Sequence, residues 1–207
     1  MLLIMESLVK KKYTLSRVLP YLLILTGLIG FIASFALTYD KVHLLQDPNY
    51  HPGCNLNPIV SCGSVMKTSQ ASLLGVPNTI FGLVSFSAQI TLGVVLLAGA
   101  QLKRWFWIIV EITAIVGLIF THYLFFQGVF RINAICPWCF SVWITTIPTV
   151  WYVTLFNLRQ GYIRLPRSLN RLNGFLQRNH GNALASWYTV ILLILLGHFW
   201  YYWKTLF

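Results

Sequence analysis

The sequence predicts an all-α integral membrane protein. Three observations carry that prediction. Hydrophobic residues make up 57% of the 207 residues and charged residues only 9%, where an ordinary soluble domain has about 25% charged. The chain divides into five apolar runs, each near the ~20 residues that an α-helix needs to cross the hydrocarbon. Lys and Arg fall in short segments between those runs, as orientation signals do. That placement accounts for the net charge of +11 and argues against nucleic acid as a partner.

In order, residues 1–17 form a short head carrying Lys10, Lys11, Lys12 and Arg17. Residues 18–39 are the first span. Ser34-Phe35-Ala36 loosely resembles a signal-peptide cleavage site, but the apolar run exceeds the usual 7–15 residues of a signal core, so a retained helix is expected. Residues 40–79 are a polar loop that holds Cys54 and Cys62. Residues 80–100 are the second span, interrupted by Gln89. The third, 105–126, contains Glu111 and His122 and is followed by a short link, 127–135. The fourth ends near Phe156. A basic segment, 157–183, then leads to the fifth span at 184–203 and the C-terminus at Phe207.

The charges predict an orientation. With the N-terminus in the cytoplasm, eleven of the fifteen Lys and Arg lie on the inner side, and Lys41, Lys67, Arg131 and Lys204 on the outer. This is the positive-inside bias. Trp105, Trp107, Trp151 and Trp187 fall at inner ends of spans, and Trp200 and Trp203 at an outer end, as in aromatic belts. All four cysteines then face the outer side, where disulfides persist.

Cys136-Pro137-Trp138-Cys139 heads the fourth span. Two thiols three apart on a first helical turn can close a disulfide. A helix N-terminus favours the thiolate, and Pro137 suits a first helical position. C-x-x-C is a favoured redox spacing. Cys54 and Cys62 are the remaining two cysteines. Two structural disulfides, or one relay of two dithiols, fit this count. A closed zinc site is disfavoured, because such sites pair two close-spaced C-x2–4-C knuckles. Glu111 reads as a structural carboxylate, His122 as an interfacial histidine, and the arginines after residue 157 as anchors.

Taken together, Cys54 to Cys62, Gly63-Ser64-Val65-Met66-Lys67-Thr68, Gly75-Val76-Pro77-Asn78-Thr79-Ile80-Phe81-Gly82 and Cys136-Pro137-Trp138-Cys139 resemble the vitamin K epoxide reductase family, and more narrowly its bacterial homologues. The likeness spans residues 18–156. It implies a four-helix catalytic bundle around a quinone site, capped by the first loop, with a fifth transmembrane helix beyond it. By the same likeness Cys54 exchanges with a partner, Cys62 with Cys136, and Cys139 faces the quinone. Asn78 and Thr68 stand where the family has polar contacts near the site. Asn78 also suits a helix N-cap, and Thr68 a cap of a short helix at 70–74. Trp143 replaces a tyrosine of the animal enzymes, and its indole N–H is a possible quinone donor. The resemblance thus implies an oxidoreductase of the bacterial cytoplasmic membrane that takes electrons from a thiol protein and passes them to ubiquinone or menaquinone. Many bacterial relatives carry a fused thioredoxin-like domain. The sequence given has no third cysteine pair, so a separate, DsbA-like thioredoxin-fold partner on the outer side is expected. Quinone epoxide reduction and a non-enzymatic membrane protein with two structural disulfides are the alternatives.

Overall fold

A computed structural model describes residues 2–47, 49–57, 59–73 and 75–204, with the side chains of 2–14, 167 and 203 outside the description. Eight α-helices are present among these residues. They are α1 Leu2–Gln46, α2 Cys62–Met66, α3 Asn78–Leu97, α4 Arg104–Phe126, α5 Pro137–Gln160, α6 Asn170–Arg178, α7 His180–His198 and α8 Trp200–Trp203. Five helices are long and apolar enough to cross a membrane: Leu15–Gln46, Asn78–Leu97, Arg104–Ile132, Pro137–Gln160 and His180–His198. The chain is a multi-pass, all-helical membrane protein.

Four helices form an open arc in the order α3, α1, α5, α4, each packed on the next. The ends of the arc, α3 and α4, stand apart. Small residues let α1 and α3 approach closely, as in other membrane helix pairs. A Cβ on Gly93 would lie 2.9 Å from the Pro20 carbonyl oxygen, and one on Gly27 2.7 Å from Ile90. Halfway along, one polar knot joins three helices. Gln89 Nε2 on α3 donates to Thr26 Oγ1 on α1 at 2.7 Å, and Thr26 meets Thr149 of α5 at 3.0 Å. Water is absent from the hydrocarbon, so a polar side chain there must find partners inside the bundle.

A second knot joins α4 to α5. Glu111 is buried and accepts from Thr154 Oγ1 at 2.6 Å and Asn157 Nδ2 at 2.7 Å. It is a structural carboxylate tied into the helix pair. His122 Nδ1 lies 2.9 Å from the Leu118 carbonyl, and its ring sits between Trp143 and Trp187.

Several boundaries differ from the sequence expectation. α1 does not stop at residue 39 but runs to Gln46, so the loop begins later than residue 40. Lys41 explains how a polar stretch stays helical, because its Nζ donates to the Met66 carbonyl and braces the loop against the helix. The link expected at 127–135 is largely helical. Gln127–Ile132 continues α4 as a π-helix and ends at Asn133, whose φ is 55°. Asn133 Oδ1 lies 2.9 Å from His198 Nε2, which ties that end to α7. α5 carries on through residues 157–160 and stops at Gly161 in the left-handed region, φ 73°. The basic segment contains α6, whose Leu172 and Phe175 are exposed. The fifth span is broken at Phe199 and resumes as the short α8. The short helix expected at 70–74 is a 3-10 turn, Ser69–Ser72; Leu74 lies outside the described residues.

Candidate active site

The loop after α1 is ordered by its own polar side chains. Asn57 Oδ1 accepts from the N–H of Ile59 at 3.0 Å and of Val60 at 2.7 Å. Such asparagine-centred turns are local and need no distant partner. Asn55 Oδ1 accepts from Gly63 N–H at 2.8 Å and from Ser61 Oγ at 3.0 Å. Residue 63 has to be small here, because a Cβ would lie 2.8 Å from Asn55. Ser61 then caps α2 by accepting from Ser64 N–H at 3.2 Å.

A two-bond clamp fixes this loop on the head of α5. Ile135 N–H donates to the Ile59 carbonyl at 2.7 Å, and Ser61 N–H to the Ile135 carbonyl at 3.0 Å. Val60 and Ile135 thus form an isolated parallel bridge. The next residues along each strand are the ones that matter. Cys62 follows two after Val60, Cys136 one after Ile135, and their sulfurs lie 3.3 Å apart. Cys54 and Cys62 are joined by a disulfide, while Cys136 and Cys139 are free thiols. Three sulfurs therefore stand in a row: Cys54, Cys62, Cys136.

Cys136 is the N-cap of α5, with Pro137 in the first turn. Its sulfur accepts from Cys139 N–H at 3.3 Å. Cys136 is buried. The Cys139 thiol and the first-turn N–H groups hold the Cys136 thiol below its usual value, outweighing the burial that opposes them. The thiolate is the reactive form, so the sulfur facing the loop disulfide is also an activated one.

Cys139 lies on the other side of that turn. Its exposed surface faces a cavity of about 650 Å³ enclosed by the arc and lined by α3, α4 and α5. Cys136, Phe140, Trp143, Asn78 and Gln89 share the lining, which is otherwise mostly apolar. The lining includes residues of both ends of the arc, among them Phe81, Gly82 and Ser85 of α3 and Thr113, Gly117 and Thr121 of α4.

Trp143 is 2% exposed and stacks on Phe125 at a centroid distance of 4.7 Å and an interplanar angle of 3°. Its Nε1 is buried with no hydrogen-bond partner in the protein. A buried orphan donor costs roughly 1–3 kcal/mol. Asn78 lines the cavity, but its amide serves the loop: Nδ2 donates to the Gln70 carbonyl at 2.6 Å and Oδ1 accepts from Leu73 N–H at 3.1 Å. It does not cap α3; Pro77 occupies that place. Thr68 donates to the Val65 carbonyl at 2.7 Å and makes no capping bond. Its proton is engaged within the loop.

Two residues missed in the sequence stand beside the entry sulfur. Asp40 Oδ2 is 3.7 Å from Cys54 Sγ, and its Oδ1 accepts from Tyr50 Oη at 2.8 Å. One of only four acidic residues, at the end of an apolar run, was the available signal.

The family model of the vitamin K epoxide reductase family matches residues 21–154. That stretch holds the arc, the loop and all four cysteines. The chain belongs to the vitamin K epoxide reductase family. No curated protein matches it. Membership carries membrane oxidoreductase activity, and quinone linkage is general in the family. The chamber beside Cys139 is mostly apolar and has the aromatic rings of Phe125, Phe140 and Trp143 in its lining, which fits a quinone.

Proposed function

We propose that this chain is a quinone-dependent thiol oxidase that reoxidises a separate thioredoxin-fold protein of the DsbA type, and so supports disulfide formation outside the cytoplasm. The observation that carries the reading is the row of sulfurs, with an activated Cys136 at 3.3 Å from the loop disulfide and Cys139 opening on an apolar chamber.

The electrons run from the loop inward. A partner thiolate attacks Cys54, and Cys62 leaves as a thiolate. The partner's second thiol then releases Cys54, so the partner is oxidised and the loop pair reduced. Cys62 attacks Cys136 of a Cys136–Cys139 disulfide, and Cys139 leaves into the chamber. Cys54 next attacks Cys62, restoring the loop disulfide and releasing Cys136 as a thiolate. The arrangement observed, with Cys54–Cys62 bonded and Cys136 and Cys139 free, corresponds to the end of that sequence. A quinone supplies a two-electron, two-proton sink for the Cys136–Cys139 pair. Trp143 would hold its carbonyl oxygen, and the stacked Phe125 and Phe140 would flank the ring.

The orientation belongs to the same reading. The cysteines lie in the segments that join α1 to α3 and α4 to α5, while the basic residues Lys103, Arg104, Arg159, Arg164, Arg167, Arg171 and Arg178 lie in or beside those that join α3 to α4 and α5 to α7. With the basic end in the cytoplasm, Cys54 faces outward from a bacterial cytoplasmic membrane. The test mixes purified chain, reduced thioredoxin-fold partner and ubiquinone or menaquinone, and follows quinone reduction by absorbance. Turnover that vanishes in Cys139→Ala is expected. An inert Cys136–Cys139 pair that never cycles with quinone supply would refute the proposal, and labelling of Cys54 only from the cytoplasmic side would refute the orientation.

A further inference from the structure

Of the two buried carboxylates that the relay does not use, Glu111 is tied to Thr154 and Asn157 and Asp40 stands beside the entry sulfur. Asp40 sits on the last turns of α1 and is 9% exposed. Its two oxygens have different neighbours. Tyr50 Oη donates to one at 2.8 Å, and the other lies 3.7 Å from Cys54 Sγ. The bond from Tyr50 to Asp40 also holds the Tyr50 phenol above its usual value. The adjacent cation, Lys41, is turned to the Met66 carbonyl instead. His43 packs on the far face of Tyr50, with centroids 5.2 Å apart. From α5, Cys136 feels the Asp40 charge as well. His51 and Lys67 of the loop are solvent-exposed.

A disulfide sulfur carries no proton, so the contact of 3.7 Å is not a hydrogen bond while Cys54 and Cys62 are joined. It becomes one when the bond opens. We propose that Asp40 is the proton acceptor for Cys54 and decides which sulfur of the opened loop pair carries the negative charge. The proposal rests on the relay for its purpose, not for its test.

Two electrons pass from the partner dithiol to Cys54 and Cys62, and the partner becomes a disulfide. Cys54, once released, takes one proton from water and donates it as a hydrogen bond to Asp40. The thiolate is left on Cys62, the sulfur that must attack Cys136. A like charge beside a thiolate disfavours it, so the carboxylate keeps the charge away from Cys54. It also makes Cys62 the better leaving group when a partner attacks Cys54, because the thiol of lower pKa leaves faster. In the closing step Cys54 attacks Cys62 of the Cys62–Cys136 bond. Its proton passes to Asp40 and from there to water, so the carboxylate is restored; the Cys54–Cys62 bond forms, and Cys136 departs as a thiolate.

The experiment uses the full chain with Cys62→Ala, Cys136→Ala and Cys139→Ala, leaving Cys54 as the single thiol. The pH profile of its alkylation by iodoacetamide gives its pKa. With Asp40 present, Cys54 should titrate above the ordinary thiol value of about 8.5. Asp40→Asn should lower the pKa by about one unit, seen as roughly ten-fold faster alkylation at neutral pH. Tyr50→Phe disturbs the same contact but keeps the carboxylate, and should stay near the parent profile. A parent pKa at or below the ordinary value overturns the proposal, whether or not the Asn variant folds. An unchanged Asn variant, or equal shifts in the Asn and Phe variants, overturns it too. None of these readouts needs partner or quinone, so failed turnover and failed titration are separate results.

Discussion

In the double variant Cys54→Ala/Cys139→Ala the chain retains only Cys62 and Cys136. Neither has a neighbouring thiol left to resolve a bond between them. Their sulfurs stand 3.3 Å apart, and a disulfide needs about 2.05 Å, so closure requires a movement of roughly 1.3 Å. A χ1 adjustment at either cysteine supplies that without moving the backbone, which the Ile59–Ile135 and Ser61–Ile135 hydrogen bonds hold. A thiol on a flexible tether has an effective concentration of about mM. One held in contact and oriented moves toward the ~10⁵ M of well-aligned intramolecular reactions. The Cys62–Cys136 bond should therefore form almost completely on purification without reductant, and should survive glutathione well above the mM range. The assay is alkylation, proteolysis and mass spectrometry of the linked peptides across a glutathione series. The control, Cys62→Ala/Cys139→Ala, leaves Cys54 and Cys136, and should stay largely unlinked. An unlinked first variant would refute the inference that the loop clamp aligns these sulfurs. A control that links equally well would show that a mobile loop, not the clamp, governs which cysteines meet.

Three further outcomes are expected. Glu111→Ala removes the acceptor that Thr154 and Asn157 share across the helix pair and leaves them the Val150 carbonyl at 2.9 Å and the Trp107 carbonyl at 3.4 Å, at about 1–3 kcal/mol in all; thermal unfolding in detergent should drop by several degrees, and an unchanged midpoint would show that this knot is not structural. Trp143→Phe keeps an aromatic ring but removes the orphan N–H, worth about 0.5–1.5 kcal/mol as a hydrogen bond, so the KM for quinone should rise between two- and ten-fold while the Cys62–Cys136 linkage of the double variant is untouched. In a Cys54→Ala/Cys62→Ala variant, Cys136 should still alkylate below the pH at which an ordinary thiol falls silent, and its reactivity should disappear only as pH drops through the lowered pKa. Adding Cys139→Ala removes the first of the groups that depress it and should move that profile upward; no movement would mean that the helix start alone activates Cys136.

The spans and the redox pair were legible because their physics is local. Five runs of apolar side chains must form helices in lipid, where every backbone group needs an internal partner. Two cysteines three apart with Pro137 between them meet on one turn whatever surrounds them. Element ends were harder to read. The charged stretch after residue 39 stays helical because Lys41 reaches Met66, a partner twenty-five residues away that hydropathy cannot reveal. The same holds for Asn78. Its sequence position suited either a helix cap or the cavity, and only the folded loop engages both ends of its amide.

The sequence by itself thus determined the membrane class, the number of apolar spans and where the four cysteines stand among them. The tertiary structure alone decided which sulfurs touch, that a carboxylate from α1 stands beside Cys54, and that the helices pack in the order α3, α1, α5, α4 around an apolar chamber. The reason is the range of the forces. Helix formation and C-x-x-C closure act within a few residues, so composition and spacing specify them. The contact between Cys62 and Cys136 joins residues 74 apart, through two backbone hydrogen bonds that any residue but proline can donate, and such bonds leave little mark on the sequence.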